Sequence, residues 1–381
     1  MPETVRMMFG ADLFPTERIV DAFRSGDLGD LVDGKIRDLL KCADYTVFNL
    51  EGCLTDAHTP IHKVDPIIRA PTDAVRGFAQ LPISCFALAN NHIMDYGPAG
   101  YADTRRTLAD AGYESFGAGD REDTVEGCKI VAINGIRIGL YNVAETMFNI
   151  PGPDRPGANL YDPVRVCGDI RRLKAETDHV VVIYHGGTEF FWYTNAMMRA
   201  RLRGMADAGA DLVLTQHTHC IAPQEDYHGS RLLYGQGDFW FPRHDTEYKK
   251  HGLLIDVTFT KDSFSAERHL LIHEGNRVAL AEPQDLSAFD ERSLRQRNGD
   301  AFDAEYAAYA DEKITKFLRA FRGKNLLDKV LYKLLPRPKF AAYLKSRYTE
   351  RQLLRILSAV RFEEFNDLVR VWLETRLDKT E

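Results

Sequence analysis

A layered α/β fold is predicted by three features of this sequence. From Val5 to about Ile272, short aliphatic and β-branched runs alternate with amphipathic stretches, as strands and their covering helices do in a layered domain. Three of those runs stop abruptly at polar residues. Phe86-Ala-Leu-Ala89 meets Asn90-Asn91-His92, Val180-Val-Val-Ile-Tyr184 meets His185-Gly-Gly-Thr-Glu189, and Asp211-Leu-Val-Leu214 meets Thr215-Gln-His217-Thr-His219. The carboxyl ends of buried strands are where open α/β sheets place their ligands. The third feature is Asn134-Gly135 between two apolar runs, a strong hairpin signal.

Taken in order, the apolar runs predict strands at 7–9, 45–50, 85–89, 129–133, 137–142, 180–184, 211–215, 231–234 and 253–259. Amphipathic stretches predict helices at 33–41, 72–80, 101–111, 165–175 and 196–208, each followed within a few residues by a strand. The segment 149–157 is too rich in proline and glycine for either and is a surface loop. Beyond about residue 301 the text turns to helical patterning with few β-branched residues, as in Ile314-Thr-Lys-Phe-Leu-Arg-Ala-Phe321 and Leu353-Leu-Arg-Ile-Leu-Ser-Ala-Val360, interrupted by Pro336 and Pro338. The expected organisation is an α/β domain over 1–290 and a helical C-terminal region over 300–381.

Bulk properties fit this division. With 381 residues the chain can make one large domain or a domain plus an appendage, since single cores stop growing near about 250–300 residues. Hydrophobic residues at 44% and charged residues at 28% describe a globular protein. A net charge of -7 argues against a nucleic-acid binder, although an acidic polymer can still be held locally. Cys42, Cys53, Cys85, Cys128, Cys167 and Cys220 show no C-x-x-C spacing and read as reduced, buried thiols. The start has no long apolar segment of the secretory kind, and no later stretch has about 18 consecutive apolar residues, so the chain is expected to be cytoplasmic. The charged amphipathic C-terminal helices read as solvated, with membrane contact as the lesser alternative.

The chemistry-bearing residues cluster at the predicted strand ends. His217 and His219 follow one strand, and alternate residues on extended backbone point the same way. Alone, such a pair is a surface turn; His185, Asn91 and His92 at other strand ends point instead to a metal. Asp12 follows Met7-Met-Phe9 and Gly10, and Glu51 follows Tyr45-Thr-Val-Phe-Asn-Leu50. Either acid alone reads as a solvated loop residue. Together these imidazole, amide and carboxylate donors suit a divalent transition metal, Mn, Fe, Co or Zn.

Asn49-Leu-Glu51, Leu88-Ala-Asn-Asn-His92 with Asp95-Tyr-Gly97, His185-x-Gly-x-Glu189, Gly209-Ala-Asp211, His217-x-His219 and Tyr234-Gly-x-Gly237 occur in this order. Over about residues 5 to 260 the pattern resembles the CapA family of capsule and poly-γ-glutamate synthesis, which is similar to the calcineurin-like metallophosphoesterases. The resemblance implies a calcineurin-like sandwich and one firmly bound metal on Glu51, Asn91, His185 and His217. A second metal would take Asp12 and His219, but the position two after Asp12, a histidine in the phosphoesterases, is Phe14 here. The resemblance also makes His92 the acid/base residue, leaves Asp12 and His219 for proton transfer, and sets Asn49 and Asp95 behind the donors. Phe190-Phe-Trp-Tyr-Thr-Asn-Ala196 replaces a Pro-Ser-Pro type loop, and Gly237-Asp238-Phe239 with Trp240 replaces Gly-Asn-Phe. Glu189, Phe191, Trp192, Tyr193, Asp238 and Trp240 are therefore the expected substrate-binding residues, with core packing of the aromatics as the alternative.

The resulting expectation is a metal-dependent enzyme with a peptide or amide-linked polymer as substrate. Epimerisation by Cα proton transfer beside a polarised carbonyl, as in the lasso-peptide branch of the resemblance, stands first. Amide hydrolysis or transfer in poly-γ-glutamate or capsule synthesis stands second, a phosphoesterase third, and a non-enzymatic assembly protein with a structural metal last.

Overall fold

The strand Val5–Leu13 lies inside the larger of the two main sheets, and its side chains alternate between two apolar clusters. Met7 and Phe9 enter one cluster while Met8 and Leu13 enter the other, the period of two expected of a strand buried on both faces. The structure, a computed structural model, describes residues 3–63, 65–297, 304–311, 313, 334, 336, 339 and 349–377.

Among the described residues the larger sheet has eight strands. On one side of Val5–Leu13 run Tyr45–Leu50, Cys85–Ala87 and Glu114–Phe116, all parallel. On the other side His251–Phe259, Phe264–Glu274 and Arg277–Leu280 form an antiparallel meander. Asp238–Trp240 adds in parallel at the carboxyl end of the first strand. The second sheet, of six strands, runs Gln224–Tyr227, Ser230–Leu233, Leu212–Gln216, His179–His185, Ile136–Ala144 and Cys128–Ile133.

Phe9 and Val47 of the larger sheet share a cluster with Leu140, Val181, Ile183 and Leu214 of the smaller one, so the sheets pack face to face. The outer side of the larger sheet takes Phe23, Ile36, Leu40 and Phe78 from the helices Val20–Ser25, Gly34–Lys41 and Val75–Phe78. The outer side of the smaller sheet takes Ile170 and Leu202 from Pro163–Glu176 and Ala196–Asp207. The layers therefore run helix, sheet, sheet, helix, the layered α/β sandwich that the sequence predicts. Each fully buried Val, Leu or Ile contributes about 1.5–3 kcal/mol, and runs such as Val180–Tyr184 place every residue inside.

All nine predicted strands are present: five are longer than predicted, the first by six residues, 85–89 is shortened to Cys85–Ala87, and the five predicted helical stretches are helical. Asn134 at φ 49° and Gly135 at φ 74° make the predicted hairpin turn between Ile133 and its partner Ile136, with both central residues left-handed as a type I′ turn requires. Phe264–Glu274 has no apolar run to predict it, because Glu267, Arg268 and His269 interrupt the apolar residues on both of its faces. Asp238–Trp240 was missed because three residues become a strand only through pairing with Val5–Leu13. The segment 149–157 is irregular as expected, and fully buried Asn149 ties it inward by donating to the carbonyls of Asn90 and Glu145 at 3.1 and 3.0 Å.

The chain divides into two compact units, 1–61 with 67–303 and 62–66 with 304–381. Both sheets belong to the first. In the second, Glu350–Arg361 starts at a capping box formed by Thr349 and Gln352, and Ser358 Oγ donates to Asp65 Oδ2 at 3.1 Å. Glu363–Leu377 follows, with Trp372 Nε1 donating to Asp311 Oδ1 at 2.7 Å. The run 353–360 thus lies on a helix, whereas 314–321 and Pro338 fall outside the described residues. No described helix is long and apolar enough to cross a membrane. All six cysteines are free thiols; Cys42 is exposed, and Cys53, Cys85 and Cys220 are buried.

Candidate metal centre

The first sheet supplies the carboxylates. A break in register between Phe9 and Asp12 brings Asp12 level with Asn49 on one neighbour and Asp238 on the other. Gly10 sits in that break, and a Cβ there would lie 2.1 Å from the Phe48 ring, so only glycine allows this approach. Asp12 is fully buried, with Oδ1 accepting from Asn49 Nδ2 at 2.7 Å and Oδ2 from the His217 backbone N–H at 3.0 Å. Burial pushes its carboxyl up to about 6, against the pull of His219 and with the help of Asp238. Glu51 is also fully buried, and neither of its oxygens has a hydrogen-bond partner. Burial, then Asp12 and Asp238, hold it well above the usual carboxylate range.

The second sheet supplies the imidazoles. His185 ends its strand level with Gln216, so His217 is the next residue beyond the paired strand. The expectation that His217 and His219 alternate on extended backbone is overturned: both sit past the strand end at positive φ, 82° and 53°. Such positions cost on the order of 1–3 kcal/mol each and persist where the surroundings over-determine them. Their rings, 6.1 Å apart, serve different partners. The His185 and His217 rings lie 4.9 Å apart, while His219 approaches Asp12 Oδ2 at 3.6 Å.

Glu51 is the centre of the arrangement. His92 Nε2, His185 Nε2 and His219 Nε2 stand 3.9, 3.8 and 3.8 Å from its Oε1. Donor atoms of Glu51, His185 and His217 lie within 4.8 Å of one another, and so do those of Asp12, Glu51 and His219. Asn91 Oδ1 joins the first group, 2.9 Å from His185 Nε2. Phe14 is fully buried and packs edge-on against Phe241, so it gives the second group no donor. Burial and the neighbouring imidazoles push His185 well below its ordinary value; burial, opposed by Glu189, brings His217 down to about 4. Neutral imidazoles around a carboxylate with two unsatisfied oxygens fit a divalent transition metal, because a cation satisfies what no hydrogen bond here does.

Behind the donors, Asn49 Nδ2 lies 3.3 Å from His185 Nδ1 in addition to its bond to Asp12. Asp95 Oδ2 lies 2.7 Å from His92 Nδ1 and accepts the Ile68 N–H at 2.7 Å. Of the expected substrate residues, Glu189 Oε1 is 3.7 Å from His217 Nε2. Trp192 is 38% exposed and lies 4.6 Å from the Tyr248 ring. Tyr193 packs beneath Arg295 at 5.3 Å, and Phe191 is buried beside it. Trp240 goes to the core: it is 1% exposed, 5.2 Å from Phe23, and its Nε1 donates to the Asn276 carbonyl at 2.9 Å. Its place in a strand that pairs with Val5–Leu13 turns its ring away from His219, and Phe241 takes that position.

Phe190 and Phe241 belong to the aromatic segments that the sequence sets beside the metal, although neither is among the expected substrate residues; Tyr248 and Lys249 carry no such signal. Phe190 and Phe241 stack on His219 at 5.5 and 5.4 Å, and Tyr248 touches Phe190 at 5.9 Å. Lys249 is 7% exposed and lies 3.1 Å from Asp238 Oδ2. Its neighbour Lys250 is exposed, so the pair reads as a solvated charge run until the tertiary partner is seen. Burial alone would raise Asp238, but Lys249 and His219 outweigh it and hold this carboxyl well below the usual range.

Residues 6–243 match the family described as "Bacterial capsule synthesis protein PGA_cap". The chain is 28% identical over 229 residues to "PGA biosynthesis protein CapA" of Bacillus subtilis, a match covering 58% of this chain and 59% of that protein. It is 27% identical over 234 residues to "Capsule biosynthesis protein CapA" of Bacillus anthracis, covering 59% and 57%. The chain thus spans under two thirds of the length of these relatives. Among solved structures, a phosphatase from Mycoplasma pneumoniae superposes with a TM-score of 0.44 at 12% identity, covering 76% of this chain and all of that one.

Proposed function

Because the chain belongs to the bacterial capsule synthesis protein family PGA_cap, we propose that it is a metal-dependent enzyme that hydrolyses or transfers an amide bond of an acidic polymer of the poly-γ-glutamate kind. The observation that carries this reading is the pair of buried donor groups sharing Glu51, with the His92–Asp95 pair beside the same Glu51 oxygen. Glu51, Asn91, His185 and His217 would hold the metal, and Asp12 and His219 would complete a second, poorer group. A divalent transition metal bound there supplies Lewis acidity toward a carbonyl and lowers the pKa of water.

The chain's own residues do the rest. Asp95 orients the His92 ring through Nδ1, leaving Nε2 at the metal centre, where it can take a proton from the attacking water or amine and pass it to the departing amine nitrogen. Phe190 and Phe241 cover the two faces of His219 with apolar surface, and Tyr248 backs Phe190. Incubation with γ-glutamyl oligomers and Mn²⁺ or Zn²⁺ should yield new amines and a change in product mass, abolished by chelator. Unchanged mass with every metal would reject the reading.

A second reading, epimerisation of a peptide by Cα proton exchange, is supported by one feature. His92 backed by Asp95 and His219 backed by Asp238 approach the same Glu51 oxygen at 3.9 and 3.8 Å, so two protonatable groups flank one position. The relatives' printed names favour polymer synthesis and place this reading second. Deuterium uptake at one Cα without a change of bonds would favour it; phosphate release from an aryl ester would instead favour a phosphoesterase.

A further inference from the structure

Lysine is almost never buried without a partner, because its ammonium loses hydration that only a paired charge restores. Lys249 is buried, and its Nζ lies 3.1 Å from Asp238 Oδ2, donates to the Phe241 carbonyl at 3.3 Å, and sits 4.4 Å from the centroid of the Phe241 ring. Asp238 gives its other oxygen to His219, with Nδ1 to Oδ1 at 2.7 Å. One carboxylate is therefore held at both ends, by an ammonium on Oδ2 and by an imidazole on Oδ1. The His219 ring is further confined by the stacked rings of Phe190 and Phe241. With Nδ1 committed, the remaining nitrogen, Nε2, faces Glu51.

We propose that Lys249 is a positioning residue for His219: by gripping Asp238 it fixes the ring with its proton on Nδ1 and commits Nε2 to the metal centre. An ionised Asp238 can only accept, so it selects the Nδ1–H form, whereas an asparagine there could present either oxygen or NH₂ to the ring. Choosing the acid brings a third buried carboxylate beside Asp12 and Glu51, and Lys249 is the cation that makes it tolerable. Buried partners of this kind set ring orientation and ligand basicity in metal sites. The inference rests on the metal centre of the proposed function and not on its amide substrate.

The test uses the full-length, metal-free protein labelled with ¹⁵N in its histidine rings, observed by NMR at mildly alkaline pH. His219 is assigned by the signals lost in His219→Gln. The expected result is a protonated Nδ1 and a bare Nε2 for His219, retained in Lys249→Arg, for which a cavity of about 290 Å³ beside Lys249 leaves room. Lys249→Met should move His219 out of this pattern, and competition with a chelating dye should show Zn²⁺ at the group containing His219 bound about 10–100-fold more weakly. A His219 protonated on Nε2 in the parent protein, or one unchanged in Lys249→Met, overturns the proposal. Should Lys249→Met fail to fold, Asp238→Asn carries the test: a gripping Lys249, which can only donate, takes the amide oxygen and turns the NH₂ to the ring, so the His219 proton should move to Nε2, and an unmoved His219 there overturns the proposal. Neither readout involves a substrate, so failure of the amide reading leaves a separate trace.

Discussion

Glu51 brings two oxygens without hydrogen-bond partners to a fully buried position, so the metal-free protein carries a cost that the metal relieves. Replacing Glu51 with methionine, which removes both unpaired oxygens at similar length, should stabilise the chelator-treated protein by about 1–3 kcal/mol, the scale of a buried unpaired polar group, while metal content falls. Thermal unfolding in chelator with metal analysis checks this, and a variant that keeps its full metal content would contradict it. His92→Asn should leave metal content unchanged and lower turnover about 10²–10⁴-fold, the usual worth of a general acid or base; loss of metal in this variant would move His92 into the ligand set. Protons compete with the metal at Asp12, whose carboxyl titrates at about 6 in the folded state against 3.8 normally. A raised acid means the folded, metal-free protein binds the extra proton between those values, so Asp12 favours folding at low pH and loses that advantage as pH rises through 6. His217 has the opposite sign: lowered to about 4 from 6.5, it costs stability as pH falls from 6.5 toward 4. A metal needs both groups deprotonated. The rise in melting temperature on adding Mn²⁺ should therefore grow as pH rises from about 5 to about 7, and a shift constant across that range would count against these assignments.

At the scale of elements, the donors are only as well placed as the strand ends that carry them. Asn142, in the strand Ile136–Ala144 of the second sheet, accepts the Ala89 N–H at 2.7 Å and donates to the Ile183 carbonyl at 3.1 Å. It thereby bolts the segment leading to Asn91 onto the strand leading to His185. Gly117, at φ 96°, leaves just enough room, since a Cβ would meet Asn142 Oδ1 at 1.9 Å. Gly117→Ala should cost about 2–4 kcal/mol in urea unfolding, from backbone strain together with the displaced hydrogen bond, and should weaken metal retention. Much of this level was legible in the sequence, because buried strands announce themselves as short aliphatic runs and their polar terminators follow directly. What escaped was whatever depends on tertiary partners. The backbone of His217 and His219 was misjudged because their turn is held by Asp12 and Asp238, distant in the chain. Lys249 looked solvated because its carboxylate partner lies across a loop, and Trp240 looked like site surface because strand pairing decides which of two adjacent rings faces inward.

Across the whole molecule, the centre lies where two sheets meet. Asp12 lies near the carboxyl end of one strand of the larger sheet, Glu51 and Asn91 follow two others, and His185, His217 and His219 belong to the strand ends of the second sheet. Gln216 Nε2 donating to the Gly10 carbonyl at 3.2 Å, and Gln236 Nε2 to that of Phe9 at 2.7 Å, stitch the sheets beside the site. A bound ion would be a further cross-link, adding about 2.7 kcal/mol when present at 100 times its dissociation constant. Because its donors are scattered from Asp12 to His219, a chain leaving the ribosome offers no complete chelate until most of both sheets has been synthesised and brought into register. Ion capture is then a late event on the folding pathway, so saturating metal should slow unfolding about 10²-fold while hardly changing the refolding rate, as for interactions absent from the transition state. Stopped-flow refolding accelerated by metal would show that the two sheets meet early. The ion would in that sense act as a latch on a finished fold, able to close only on a chain that has already found its native arrangement.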